Sequence, residues 1–321
     1  MPPVQGVPPQ VPVPPPVIPD VSDDLGYMHR WVKRFGIALG VLAVFSICAV
    51  MIASVIWNDS SEKALLDATQ YALDNPGKYT IQQGDKLDAT LIVRGNSYKL
   101  DGKIDAVPLS AIVQNRVLYM SSSDPQLLYD TFLKNPKTSK AMNSLMKGFL
   151  PTLKNRWIRI DLDSDTNAST ALGTITCLLD MRYAIGHGKG FNELAAQKYV
   201  ENAFLNVRKT THSTYRVTVD TGRMTTFQDA VSKGSNAGIF DNCPQLSSFV
   251  AGGKVNKIVV DVALTDTDNV LKTIEYKGLS DKSTKISASY TDVGKISPPK
   301  DAVDISQMLS SILQSIFGTQ L

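Results

Sequence analysis

Residues 87–106, LDATLIVRGNSYKLDGKIDA, decide the architecture. Leu87, Ala89, Leu91 and Val93 alternate with Asp88, Thr90, Ile92 and Arg94; Gly95-Asn96 supplies a turn, and Tyr98, Leu100, Gly102, Ile104 and Ala106 resume the alternation. A period of two divides a strand into an apolar and a polar face, and a Gly-Asn break between two such runs reads as a hairpin. Ser110 to Val113 and Arg116 to Ser121 add two more strand-like runs, which makes an antiparallel meander with one apolar face. That face must be covered. Just upstream the period is helical. Ser60 or Ser61 can cap a helix to about Asp74 with Ala64, Leu65, Ala68 and Ala72 on one side, and Asn75-Pro76-Gly77 stops it before the period of two begins at Lys78.

Cover follows the meander. Asp124-Pro125 is an N-cap with Pro at the first helical position, opening Pro125 to Leu133 with Leu128 and Phe132 on one side. A second helix, Ser139 to Leu150, places Met142, Leu145, Met146 and Phe149 at i, i+3, i+4 and i+7. Arg156 to Leu162 returns to strand. Thr170 to Ile185 and Phe191 to Phe204 read as helices joined by a glycine-rich link around His187, Tyr215, Val217 and Val219 as a strand, and Arg223 to Lys233 as a helix carrying Met224, Phe227 and Val231. A second meander runs through Val255 to Leu264, Val270 to Tyr276 and Thr284 to Tyr290, and Pro298-Pro299 ends it. Asp304 is then expected to cap a closing helix with Ile305, Met308, Leu309, Ile312 and Ile316 along one stripe.

Residues 35–57, FGIALGVLAVFSICAVMIASVIW, hold no charge, Pro or Asn in 23 residues. At helical rise this is about 35 Å, enough to cross a hydrocarbon core of about 30 Å. The run is longer than the apolar core of a cleaved signal and lacks its cleavage site, so a single-pass transmembrane helix is expected. His29, Arg30, Lys33 and Arg34 precede it, whereas Asp59, Glu62, Lys63 and Asp67 follow, which orients the amino terminus to the cytoplasm and the remainder beyond the membrane. Residues 1–34 then form a Pro-rich cytoplasmic tail, nine prolines falling in the first 20 residues, too Pro-rich for a core and therefore expected to be disordered. Its P-x-x-P spacings allow a protein partner with an aromatic groove. Residues 58–321 are the exported domain.

Composition narrows the function by exclusion. The 321 residues are 43% apolar and 20% charged with a net charge of +3, which argues against a nucleic-acid partner. His187 and His212 stand 25 positions apart in no zinc-binding context, and no nucleophile elbow or S-x-x-K is present, so neither a metal site, a cofactor nor an enzyme is expected. Asp101, Asp105 and Asp261 fall on the polar sides of strands. The run Asp161-x-Asp163-x-Asp165-x-Asn167 has calcium-loop spacing but lacks the glycine and the closing glutamate. Cys177 and Cys243 can pair in only one way in an oxidising compartment, a bridge contributing on the order of 4 kcal/mol; two buried thiols are the alternative.

The order helix, meander, covering helices, meander resembles the LolA/LppX-like lipoprotein-carrier superfamily. The likeness is carried by LDATLIVRG, SYKLDGKIDA, RVLYMSS, RWIRIDLD, and above all KIVVDVALTDTDNVLKTIEYKG with TKISASYTDVGKISPPKDA. The resemblance implies an α+β fold: a curved antiparallel half-open β-barrel covered by helices, here preceded by one transmembrane helix. It also implies an apolar concavity that holds acyl chains. The true span and the absence of a lipid-modified cysteine depart from that family, as does the long segment from Cys177 to Cys243. The candidate groove residues are Leu91, Val93, Leu100 and Ile104 in the first meander and Ile258, Val260 and Ile274 in the second. The covering helices add Leu128, Phe132, Met142, Leu145, Met146 and Phe149. The expected function is a membrane-anchored extracytoplasmic binding protein at a bacterial cell surface, taking a membrane lipid or an acylated protein without chemistry. A protein-interaction or sensor module with a solid core is the alternative.

Overall fold

The computed structural model describes residues 60–85, 87–104, 107–130, 147–162, 175–177, 179–180, 194, 197–199, 201–234, 256–277 and 283–304. Helix α1 spans Ser60–Asp74 and buries Leu65 and Ala68 while Lys63, Asp67 and Gln70 face out, the stripe expected from its period. Asn75 ends it, its backbone N–H and its side-chain amide both donating to the Tyr71 carbonyl, at 3.0 and 2.9 Å. The Tyr79 hydroxyl donates to the Ala72 carbonyl at 3.3 Å, tying the last turn of the helix to the first strand.

Strands β1 (Gly77–Gln83), β2 (Leu87–Arg94), β3 (Ser97–Ile104), β4 (Val107–Gln114) and β5 (Val117–Ser122) form the first meander. A short helix α2 (Pro125–Leu128) follows, its first turn capped by Asp124, whose Oδ1 accepts from the Leu127 N–H at 3.1 Å. A 3-10 turn, Leu150–Leu153, leads into β6 (Ile158–Asp161), which starts one residue after Trp157. Strands β7 (Leu205–Lys209) and β8 (Thr214–Asp220) precede helix α3 (Thr221–Gly234). The second meander is β9 (Lys257–Leu264), β10 (Leu271–Lys277) and β11 (Ser283–Ser289), and β12 (Val303–Asp304) is a closing pair of residues.

Among the described residues the twelve strands make one unclosed sheet in the order β12-β6-β5-β4-β3-β2-β1-β11-β10-β9-β8-β7, antiparallel except where β12 lies parallel to β6. The two meanders join at the β1–β11 pair, where Tyr79 faces Ala288 and Ile81 faces Ile286. Register keeps the apolar phase on one side throughout. One row reads Ala111, Leu100, Leu91, Tyr79 and Ala288 across β4 to β11, and another Leu109, Gly102, Ala89, Ile81, Ile286, Ile274, Val262 and Tyr215 across β4 to β8. A slip of one residue would turn a strand's apolar set to solvent, so the pattern and the pairing reinforce each other. Gly102 is required here: a Cβ on it would stand 2.5 Å from Ala89 Cα and 2.6 Å from the Asp88 carbonyl.

Two local outcomes differ from expectation. Phe204 is not helical but a buried residue just before β7, an edge strand whose sequence LNVRK holds too few apolar residues to announce itself. The residues buried at the end of the second covering segment are Leu150 and Leu153 in the 3-10 turn, with Phe149 only half-buried. Asp304, expected to cap the closing helix, pairs in β12, and its carboxylate accepts from Arg159 Nη1 at 2.6 Å. Residues 305–321, with the closing helix, lie outside the described residues. So do residues 1–34, the span expected at 35–57, and Phe132, Met142, Leu145 and Met146. Among the described residues no helix is long and apolar enough to cross a membrane.

Residues 291–302 carry the chain from β11 to β12 across the outward face of the first meander. Gly294 lies against Ile92, a side chain on the face opposite Leu91 and Val93. Asp304 ends in the same outward row as Ile92, a row that runs Ile92, Lys99, Ile112, Tyr119, Arg159, Asp304. Val293, Ile296 and Pro299 are half-buried and the residues between them exposed, a three-residue period like that of a polyproline II ribbon, and Lys300 and Asp301 then turn the chain into β12. Ile112, in that same outward row, is buried although it faces away from the core.

Gly102→Val is expected to lower the unfolding free energy by about 3 kcal/mol, since neither Ala89 Cα nor a strand carbonyl can move aside. Gly148→Ala, at a helical position where an added Cβ meets nothing within 4 Å, is expected to raise the urea midpoint slightly, a gain of about 0.5–1 kcal/mol.

Candidate functional site

The inward phase of every strand builds one face. From β6 to β8 its side chains are aliphatic or aromatic with few exceptions, and the salt bridges of the sheet lie on the other side: Lys99 with Asp101 at 2.7 Å, Arg159 with Asp304 at 2.6 Å, and Arg216 with Asp261 at 2.7 Å. The only charged inward position of the described strands is Lys209 on β7, whose ammonium stands 5.9 Å from the Tyr215 ring centre. An ion on the inner rows would lose its hydration without a partner, which is why the charges fall outside.

The sequence-derived groove candidates split into two patches of this face. Leu91, Val93 and Leu100 are buried beside one another on β2 and β3, with Leu91 facing Leu100 in register. Ile104 ends β3 opposite Leu87 and Val107. Ile258, Val260 and Ile274 are buried on β9 and β10, where Val260 faces Tyr276 and Ile274 faces Val262. Strands β1 and β11 separate the patches but carry Ile81 and Ile286 on the same face, so the apolar surface is continuous between them. Leu128 is the last residue of α2, and the neighbours on its turn, Leu127 and Tyr129, are buried. The described helices lie over separate parts of the sheet, α1 over β10, α2 over β5 and α3 over β8.

At the α3 end the cover is aromatic. Asp220 Oδ1 accepts from the Arg223 N–H at 3.0 Å and so caps α3, which drops Met224, Phe227 and Val231 into the interior. Phe204 packs 5.3 Å from Phe227 and 5.2 Å from Tyr199, the latter pair edge-on. Cys177 is buried in the neighbouring helical stretch, and Cys243, its expected partner, lies outside the described residues.

Two polar interruptions of the inner face were not foreseen. Gln83 Nε2 donates to Thr284 Oγ1 at 2.9 Å, both side chains buried, and Tyr276 faces Thr284 across β10 and β11. The Tyr276 hydroxyl is buried and makes no hydrogen bond of normal geometry. Leaving such a group unsatisfied costs about 1–3 kcal/mol. The second interruption is Tyr290, whose ring stands edge-on to Tyr71 at 5.1 Å and to Tyr79 at 6.4 Å. Its hydroxyl is likewise buried without a hydrogen bond of normal geometry. The signal in the sequence is that Gln83, Tyr276 and Thr284 occupy apolar-phase positions of their strands, which marks a polar group turned inward.

Burial holds both phenols well above the ordinary tyrosine range. At Tyr276 the Thr284 hydroxyl opposes the shift weakly; at Tyr290 the nearby Tyr79 and Tyr71 add to it. Among the described residues no three His, Cys, Asp or Glu side chains gather where a metal could sit, and His212 is an exposed turn residue. No protein-family model matches the chain, and no curated protein matches it in sequence.

The buried phenols give an alkaline signature. Unfolded tyrosine loses its proton near pH 10, whereas Tyr276 and Tyr290 keep theirs to higher pH when folded, so stability is full below pH 10 and falls as pH rises above it. Thermal melts from pH 8 to 12 are expected to show Tm dropping above pH 10. The drop should be visibly shallower in Tyr276→Phe/Tyr290→Phe.

Proposed function

We propose that this chain is a membrane-anchored binding protein whose sheet curls into a half-open trough and holds an amphiphile, a membrane lipid or an acylated protein, on its apolar side. The carrying observation is the apolar face that runs across both meanders, broken only by a few neutral polar groups, with the charges of those strands on the opposite side. Open sheets beyond about ten strands curl rather than stay flat, and curling toward the dry face makes a concavity. Hydrocarbon transferred from water to such a surface gains about 0.8 kcal/mol per methylene, so several methylenes suffice without a charged anchor. A span at residues 35–57 would hold the trough at the bilayer, with the amino terminus cytoplasmic and the domain outside. The fold implied by the lipoprotein-carrier resemblance is of this kind, with helices over a curved antiparallel sheet. The proposed role involves no bond making.

A second reading has an observation of its own. Leu91 and Ile274 are only 2% and 1% exposed, as expected of a solid core serving an interaction or sensor module. Native mass spectrometry of the whole chain released from detergent separates the two. The binding reading expects retained acyl lipid in the purified protein and at least a fivefold loss of it in Leu91→Trp, which would fill the trough. Lipid-free protein, or retention that Leu91→Trp does not change, rejects it in favour of the solid core.

The Cys177–Cys243 bridge belongs to the same proposal, because an exported domain folds in an oxidising compartment. Non-reducing peptide mapping is expected to recover the linked pair. Reduction is expected to lower Tm; two free thiols in the native protein would rule the bridge out.

A further inference from the structure

The polar spot on the inner face lies between apolar rows. Gln83 pairs with Leu87 on one side, Tyr276 with Val260 on the other, and the next row along the strands is Ile81, Ile286 and Ile274. Within the spot, the Gln83 amide is spent on Thr284 Oγ1 at 2.9 Å, and Thr284 is fully buried. Tyr276, 3% exposed, faces Thr284 but its O–H makes no hydrogen bond of normal geometry. A core under selection for stability alone would carry Phe at such a position, since the hydroxyl adds desolvation cost and no bond.

The geometry points to a subsite for the ester carbonyl of an acyl-glycerol lipid, with the Tyr276 hydroxyl donating to it and the acyl chain lying along Ile81, Ile286 and Ile274. This rests on the amphiphile reading and names the chemical class it takes. The spot offers a donor and no cation: the inward Lys209 belongs to β7, three strands from β10, so a free carboxylate would be left uncompensated while a neutral carbonyl would not. A carbonyl is a single acceptor with hydrocarbon beyond it, and the spot is bounded by apolar side chains along the strands and across them. An ether-linked lipid of the same chain length presents the same hydrocarbon and lacks the acceptor.

The test uses the whole chain in detergent micelles holding equal amounts of diester and diether phosphatidylcholine of matched chains, read by native mass spectrometry. Only the lipid displaced by Leu91→Trp is counted, which removes lipid bound around the span. Wild type is expected to retain the diester about fivefold over the diether, the effect of one added hydrogen bond. Tyr276→Phe is expected to bring that ratio near one while retaining the diether as wild type does, with Tm equal to or above wild type. Diester and diether retained equally by wild type, or a preference that survives Tyr276→Phe, overturns the subsite and leaves the carrier reading standing. Retention of neither lipid overturns the carrier reading itself.

Discussion

Register is the constraint on which the rest of the molecule depends. Each strand separates its apolar from its polar side chains by alternation, and the cross-strand pairs from β6 to β7 keep those phases aligned over the width of the sheet. The alternation leaves a strand little freedom, because moving it by one residue exchanges a buried set for a charged one. Gly102 shows how tightly β2 and β3 are drawn together under that constraint, with no room for even a methyl group between them. The join between the meanders at β1 and β11 is the least local of the pairings, linking residues some 200 positions apart, and it is the step that turns two hairpin stacks into one surface.

A sheet this wide has two edges and two faces to satisfy. The strap through Val293, Ile296, Pro299 and Ala302 answers part of both needs: it lies against Ile92 on the outward side and then pairs with β6, where the Arg159–Asp304 ion pair fastens it. Pro298 and Pro299 suit a segment that makes no ladder bonds, since an extended ribbon asks for neither their missing N–H nor a free φ. On the inward side the described helices rest over β5, β8 and β10, each with a short apolar stripe. Their caps, Asp124 for α2 and Asp220 for α3, fix where those stripes begin.

Electrostatics follow from the same division. Ion pairs such as Arg216 with Asp261 stand on the solvated face, half exposed, where they add little to stability. Apart from Lys209 at the β7 edge, the polar groups of the inner face are hydroxyls and one amide, which remain neutral across the physiological range and therefore tolerate a dry setting at modest cost. Tyr276 and Tyr290 are the places where that cost is visible, each holding an O–H away from water. A surface that is apolar throughout but keeps a few neutral donors suits a ligand that is mostly hydrocarbon with a carbonyl along it, which is the chemistry proposed for this chain.

The strands were legible in the sequence because a period of two is a local property: LDATLIVR and KIVVDVAL announce themselves without reference to any partner. So were α1 and α3 and the Asp-Pro start of α2, whose caps lie within a turn of the residues they serve. The edge strand LNVRK was not, because its pairing with β8 supplies what its own two apolar residues do not. Nor was the Gln83–Thr284–Tyr276 group, whose members come from three strands and meet only through pairing across about 200 residues. By itself the sequence determined which side chains share a face and where the chain turns, since both follow from neighbours along the backbone. Only the tertiary structure decided which faces meet, that β1 and β11 unite the two meanders, and that a polar cluster sits amid the apolar rows, since these depend on hydrogen bonds between segments that no local pattern connects.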